Sequence, residues 1–93
     1  MKLYNFSKTA CGPCILVGKF FAAMNDPRLG NVTYISLDED GPDFEANNAL
    51  AKQYSVNATP TLLVVHEGKV LEEVVGGLDI TKEIKRVLDI YVD

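Results

Sequence analysis

The stretch "TACGPCIL", Thr9 to Leu16, holds both cysteines of the chain, Cys11 and Cys14. Two thiols three residues apart can serve as a structural staple, as half of a metal site, or as a redox centre. As a staple they do little, because a disulfide closing so small a loop removes little entropy from the unfolded chain. A cytoplasmic compartment also disfavours structural disulfides. Zinc takes about four ligands, and after the two thiols the soft-ligand supply is His66 alone. A closed metal site within one chain is therefore disfavoured, and no metal is expected; a cluster shared between two chains stays open.

Redox chemistry fits the pair better. At a helix start, residues i and i+3 share a face and lie close enough to bridge. Unpaired backbone N–H groups and the helix dipole there stabilise a thiolate at Cys11. Cys14, one turn in, is expected to be better shielded. The arrangement suits thiol–disulfide exchange: Cys11 attacks a substrate disulfide and Cys14 resolves the mixed disulfide. Gly12 lets another backbone approach, and Pro13 stiffens the turn. A Cys-x-x-Cys between a first strand and a first helix is a strong form of this signal.

The elements that position the pair can be read along the chain. "KLYNF", Lys2 to Phe6, alternates polar and apolar residues as a strand does. Pro13 suits the first turn of a helix, and Val17, Phe20, Phe21 and Met24 recur at helical spacing as its core face. "NDPRLGN" breaks that helix. "VTYISL", Val32 to Leu37, reads as a strand. Gly41-Pro42, with Asp43 and Glu45 behind it, marks a second helix start, whose apolar face is Phe44, Leu50, Ala51 and Tyr54. "TLLVV", Thr61 to Val65, has the continuous apolarity of a buried strand. "HEGK" turns it into a returning strand, "VLEEVV", and His66 is expected to be an exposed turn residue. Asp79 can cap a last helix with Ile80, Ile84, Val87, Leu88 and Tyr91 as its stripe. The order is β-α-β-α-β-β-α. The first three strands are joined through helices, as parallel strands are, and the last two form an antiparallel hairpin. The expected fold class is α/β, with a mixed four-stranded sheet and helices on both faces.

The bulk properties fit one domain over residues 1–93 with a small core. The chain is 47% hydrophobic and 24% charged, an ordinary globular composition. A net charge of −4, with dispersed cations, argues against nucleic acid as a partner. No apolar run approaches the ~20 residues that cross a bilayer, so no membrane partner is expected. "MKLYNFSK" lacks the apolar run of a signal peptide, and a cytoplasmic location is expected. The acidic stretch "DEDGPDFE", Asp38 to Glu45, reads as a solvated loop running into a helix start.

"CGPC" after a β-strand resembles the thioredoxin family. A second stretch, "ATPTLLVVHEGKVLEEVVGGL" from Ala58 to Leu78, is similar to the family's segment from the cis-proline through the terminal hairpin. The resemblance covers nearly the whole chain, in a minimal form of near-glutaredoxin length without the family's extra N-terminal strand and helix. It implies a protein-disulfide reductase with no cofactor beyond a redox-active Cys11–Cys14 disulfide. Cys11 would be the nucleophile, Cys14 the resolving thiol and Pro60 the cis-proline opposite them. Thr59 would offer backbone bonds to an extended substrate segment, and Gly76 would border the groove. Implied partners are protein disulfides and thioredoxin reductase as electron donor, acting on a monomer, with glutathione the less favoured donor.

The family pattern is not followed everywhere. Ala10 stands where thioredoxins carry Trp before the first cysteine, so Thr9, Thr59 and the backbone at Pro60 are left to hydrogen-bond a substrate strand. Asn5 stands where they bury an Asp; it is either a hydrogen-bonded core amide or a proton-handling residue that cannot titrate. Tyr34 replaces the lysine partnered with that Asp, and Lys19 replaces the proline that kinks the first helix. Two alternatives accompany the reductase reading. One is a glutaredoxin-like, glutathione-dependent oxidoreductase, to which "GGLD" at Gly76 to Asp79 is similar. The other is a non-catalytic thioredoxin-fold binding module.

Overall fold

The structure is a computed structural model and describes residues 1–92. The expected order of elements is present: β1 (Lys2–Ser7), α1 (Gly12–Met24), β2 (Val32–Ser36), α2 (Phe44–Gln53), β3 (Thr61–His66), β4 (Lys69–Val75) and α3 (Gly77–Tyr91). A short 3-10 helix, Pro27–Asn31, lies between α1 and β2 where Pro27 and Gly30 were expected only to interrupt. The four strands form one sheet in the order β2-β1-β3-β4.

The two central strands are buried on both faces because helices cover both. On one side, Leu3, Val32, Leu62, Val64 and Val74 pack against Val17 and Phe21 of α1 and the α3 stripe Ile80, Ile84, Val87 and Leu88. On the other, Tyr4, Phe6, Ile35, Leu63 and Val65 pack against Ala51 of α2 and Val56, with Leu50 and Tyr54 at the margin. The unbroken "LLVV" run follows from that double coverage.

Strand direction departs from expectation. β1 and β2 are parallel, Leu3 opposite Val32, but β3 runs antiparallel to β1, Phe6 opposite Thr61 and Lys2 opposite Val65. A run apolar at every position carries no directional signal; the connection decides. The ten residues of α2 carry the chain ~15 Å along the sheet. Residues 54–60 can return it by on the order of 20 Å. β3 therefore begins at the end of the sheet where β1 stops, and the residues just before it face the loop just after β1.

Three smaller expectations also change. Asp79 does not cap α3: the cap position is Gly76, and Asp79 sits in the first turn. Phe20 is 38% exposed, because α1 buries only the narrow Val17–Phe21 stripe. The β3–β4 turn places both Glu67 and Gly68 at positive φ, 52° and 79°, the geometry that matches a tight hairpin to strand twist. His66 is exposed beside it, 3.7 Å from Glu67.

Candidate active site

Cys11 occupies the N-cap of α1 with extended backbone, φ −144° and ψ 106°. The loop after β1 reaches it through Lys8, Thr9 and Ala10, and Pro13 sits in the first turn. The Cys11 Sγ accepts the Cys14 backbone N–H at 3.2 Å, so sulfur does the capping that a serine or aspartate oxygen would do elsewhere. The two cysteines form a disulfide, Cα to Cα 5.2 Å. No acidic side chain lies in the first turn of α1, so nothing there offsets the positive end of the helix dipole beside Cys11. Both cysteines are half-buried. The expected extra shielding of Cys14 is therefore not seen at this level, because the helix start is open to solvent at Gly12 and Pro13.

Facing Cys11 is the turn before β3. The Thr59–Pro60 bond is cis, and Pro60 is buried. The Thr59 carbonyl oxygen lies 3.8 Å from the Cys11 Sγ. A disulfide sulfur has no proton to give, so in this state the approach is a contact; a Cys11 thiol can donate across it. The Thr59 hydroxyl is 3.7 Å from the same sulfur, at the weak limit of O–H···S geometry. Ala58 and Pro60 have their carbonyls engaged, by the Thr61 hydroxyl at 2.7 Å and the Gly76 N–H at 2.9 Å. Half-buried Thr59 lies outside the β3 ladder.

Gly76 closes the other side. Its φ of 97° is a conformation side chains rarely adopt, and it lets the chain leave β4 and enter α3 while its N–H holds Pro60. Beside it, Gly77 meets the active-site turn: a Cβ there would stand 3.0 Å from the Pro13 carbonyl oxygen and 3.1 Å from the Pro13 Cβ. A groove of about 540 Å³ runs along this contact, lined among others by Pro13, Leu16, Val75, Gly76 and Leu78. Leu16 is 45% exposed and Leu78 68%. In the sequence Gly77 and Leu78 stand only within the "GGLD" stretch, and Leu16 carries no role of its own. The Gly-Gly doublet is the signal for Gly77; the leucines carry none, since an exposed leucine and a core leucine read alike.

Asn5 lies in β1, opposite Tyr34 of β2 and Leu62 of β3, on the face covered by α1 and α3. It is 4% exposed, and its Oδ1 has no hydrogen-bond partner. The satisfied core amide that the sequence allowed is therefore not what is found. Tyr34 is 55% exposed, and burial of part of its ring pushes its hydroxyl above the ordinary value.

Thr9 is also redirected. Its N–H donates to the Asp38 Oδ1 at 2.9 Å and its hydroxyl to the Asp38 Oδ2. Its donors are spent inside the protein and are not offered to a substrate strand. Asp38, at the head of the acidic stretch read as solvated, is half-buried and bonded rather than free. Its partner is 29 residues away, beyond any local pattern. Ala10 is exposed beside Cys11, and its own side chain is a single methyl group. His66 sits at the opposite end of β3 from Thr61, away from the thiols. Among the described residues no three His, Cys, Asp or Glu side chains are grouped to hold a metal ion.

A helix-capping disulfide thus faces a cis-proline turn at one end of the four-stranded sheet. The thioredoxin family model matches residues 1–89. Thioredoxin H1 of Arabidopsis thaliana is 33% identical over 72 residues, 77% of this chain and 58% of that protein. The thioredoxin of Chlorobaculum thiosulfatiphilum is 32% identical over 76 residues, 82% of this chain and 66% of that one. This chain thus spans somewhat under two thirds of the length of such relatives. Among solved structures, the thioredoxin of Nicotiana alata superposes with a TM-score of 0.68 at 26% identity, covering 98% of this chain and 72% of that one. The thioredoxin of Malassezia sympodialis shares the fold with a TM-score of 0.70, covering 96% of this chain and 72% of that one. The chain belongs to the thioredoxin family.

Proposed function

We propose that the protein is a thiol–disulfide oxidoreductase that reduces protein disulfides, its residues 1–93 acting as a single domain. The observation that carries this reading is the Cys11–Cys14 disulfide at the N-cap of α1, with the Thr59 carbonyl facing the Cys11 sulfur. In the reduced protein, the Cys11 thiolate attacks one sulfur of a substrate disulfide. A mixed disulfide forms and the other substrate sulfur leaves as thiolate, taking a proton. The Cys14 thiolate then attacks the Cys11 sulfur and releases the second substrate thiol. Two electrons pass to the substrate, and the Cys11–Cys14 disulfide of the structure remains.

Thr59 holds an extended substrate segment through its backbone, beside Pro60. Ala10, Gly12, Pro13 and Gly76 border the contact surface. Asn5 is buried beneath it on the α1 face and supplies no titrating proton acceptor. The disulfide pair needs no further cofactor. The electron donor is thioredoxin reductase and the setting cytoplasmic, with the protein a monomer. The thioredoxin relatives support this donor over glutathione. No helix among the described residues is long and apolar enough to cross a membrane.

The test is reduction of insulin disulfides, with dithiothreitol and then with thioredoxin reductase and NADPH. Wild type should turn over with both. Cys11→Ser should be inert, and Cys14→Ser should accumulate a mixed disulfide visible by mass spectrometry. An intact fold without turnover would support the binding module instead. Turnover driven by glutathione alone would support the glutathione-dependent alternative. Faster alkylation of Cys14 than of Cys11 would reverse the assigned roles.

A further inference from the structure

The loop that carries Cys11 lies at the surface. Lys8, Thr9 and Ala10 are all exposed. Thr9 makes a polar contact with Asp38, two residues beyond the end of β2. The Asp38 carboxylate takes the Thr9 N–H on one oxygen. Its other oxygen takes the Thr9 hydroxyl and, at 3.1 Å, the Ser36 hydroxyl.

Asp38 is itself tied down. Its carbonyl accepts the Gly41 N–H at 3.0 Å, and the neighbouring Leu37 N–H donates to the Ser7 carbonyl at 2.8 Å. From α2, the Asn47 amide donates to the Ser36 carbonyl at 2.9 Å. The approach at Gly41 is tight: a Cβ there would stand 3.1 Å from the Asp38 carbonyl oxygen. An unbroken set of hydrogen bonds thus runs from α2 through the end of β2 to a residue two places before the nucleophile.

We propose that Asp38, acting through Thr9, is a positioning residue that holds Cys11 at the N-cap of α1, where the Cys14 N–H and the helix start stabilise its thiolate. The inference rests on the role given to Cys11 above. Asp38 suits the task because a carboxylate can accept several donors at once, and charge-assisted bonds are stronger than neutral ones. The Thr9 hydroxyl and N–H, with help from the Ser36 hydroxyl and the charge of Lys8, hold its carboxyl below the ordinary range. It is ionised wherever exchange chemistry runs.

A positioning role and a simple charge effect predict opposite signs. A negative charge near a thiol disfavours its thiolate. If Asp38 acted only as that charge, its removal would lower the Cys11 pKa and speed alkylation. If it positions Cys11, its removal lets the sulfur drift from the cap, raises the Cys11 pKa and slows alkylation. Lys8, Glu39 and Asp40 flank the clamp in sequence and are unchanged in every variant.

The experiment is iodoacetamide alkylation of Cys11 in the reduced protein across pH 5 to 10, for wild type, Asp38→Ala, Thr9→Val and Thr9→Ser. Thermal unfolding is recorded in parallel. At neutral pH, the rate should fall roughly three- to tenfold in Asp38→Ala and about twofold in Thr9→Val, with thiolate fraction setting the rate. Thr9→Ser, which keeps the hydroxyl, should match wild type. Thr9 is exposed, so Thr9→Val does not disturb the core and the test survives if Asp38→Ala folds poorly. A Cys11 pKa that is unchanged or lowered in Asp38→Ala and Thr9→Val overturns the proposal. An ordinary, undepressed Cys11 pKa in wild type would instead count against the reductase reading itself.

Discussion

Gly77, the first residue of α3, stands so close to Pro13, the residue immediately before Cys14, that a Cβ added to it would lie 3.0 Å from the Pro13 carbonyl oxygen. The obstacle is backbone within the active-site turn, so neither side can yield by rotating a side chain. Gly77→Ala should cost ~1–3 kcal/mol of stability, as overpacking of a close contact does. It should also lower disulfide reduction, because Pro13 lies between the two thiols. Urea unfolding and insulin reduction measured on the same preparation check both effects. Wild-type stability in Gly77→Ala would show that α3 and the turn are free to part.

Asn5 buries an acceptor that nothing satisfies. Asn5→Leu, of similar size, removes that acceptor and should be neutral or stabilising by ~1 kcal/mol. Asn5→Asp should do the reverse at neutral pH. Burial raises the folded-state pKa of the introduced carboxyl above its unfolded value. Its folded-state preference is for the protonated form, so the variant keeps its stability in acid and loses it as the pH rises through the raised value. Urea midpoints from pH 4 to pH 8 would show the slope. In the pH–rate profile, Asn5→Asp should add a limb absent from wild type, and a carboxylate-dependent limb already present in wild type would contradict the role given to Asn5.

The 3-10 helix before β2 is pinned to α3 by one cation. Arg28 bonds Asp26 at 2.7 Å and Asp89 of α3 at 2.7 Å. The side-chain hydrogen bonds from Arg28, then its N–H, lower the Asp26 carboxyl from 3.8 to about 2. A depressed folded pKa contributes stability above the unfolded value near 4, and loses it as the pH falls through about 2. Asp26→Asn should therefore unfold less steeply between pH 4 and pH 2 than wild type, while changing little in thiol reactivity. Parallel acid-unfolding curves for the two proteins would remove Asp26 from the account of acid sensitivity.

Ala10 places a methyl group, not an aromatic ring, immediately before Cys11. Buried aromatics dominate many contact surfaces, and Ala10 is exposed where such a wall would stand. Ala10→Trp should lower the apparent KM for insulin by about threefold, the effect of one modest added contact. The pH dependence of Cys11 alkylation should not change. Equal KM values would show that recognition is carried by the groove at Pro13, Leu16 and Leu78 instead.

The chain's local chemistry determined much of this protein before any tertiary contact was known. Element order follows from periodicity, the hairpin from "HEGK", and the helix start from Pro13. The redox pair follows from Cys11 and Cys14 at that start, since a thiol at an N-cap draws on backbone N–H groups within its own turn. Tertiary structure decided whatever depends on residues far apart in sequence. The direction of β3 is one such choice, because "TLLVV" is apolar on both faces and sits equally well either way. That choice brings Thr59 to Cys11, 48 positions away. The pairing of Thr9 with Asp38, the closeness of Gly77 to Pro13 and the orphaned oxygen of Asn5 are others. A hydroxyl, a carboxylate or a glycine reads the same in a sequence whether solvent or a distant backbone meets it; packing alone assigns the neighbour.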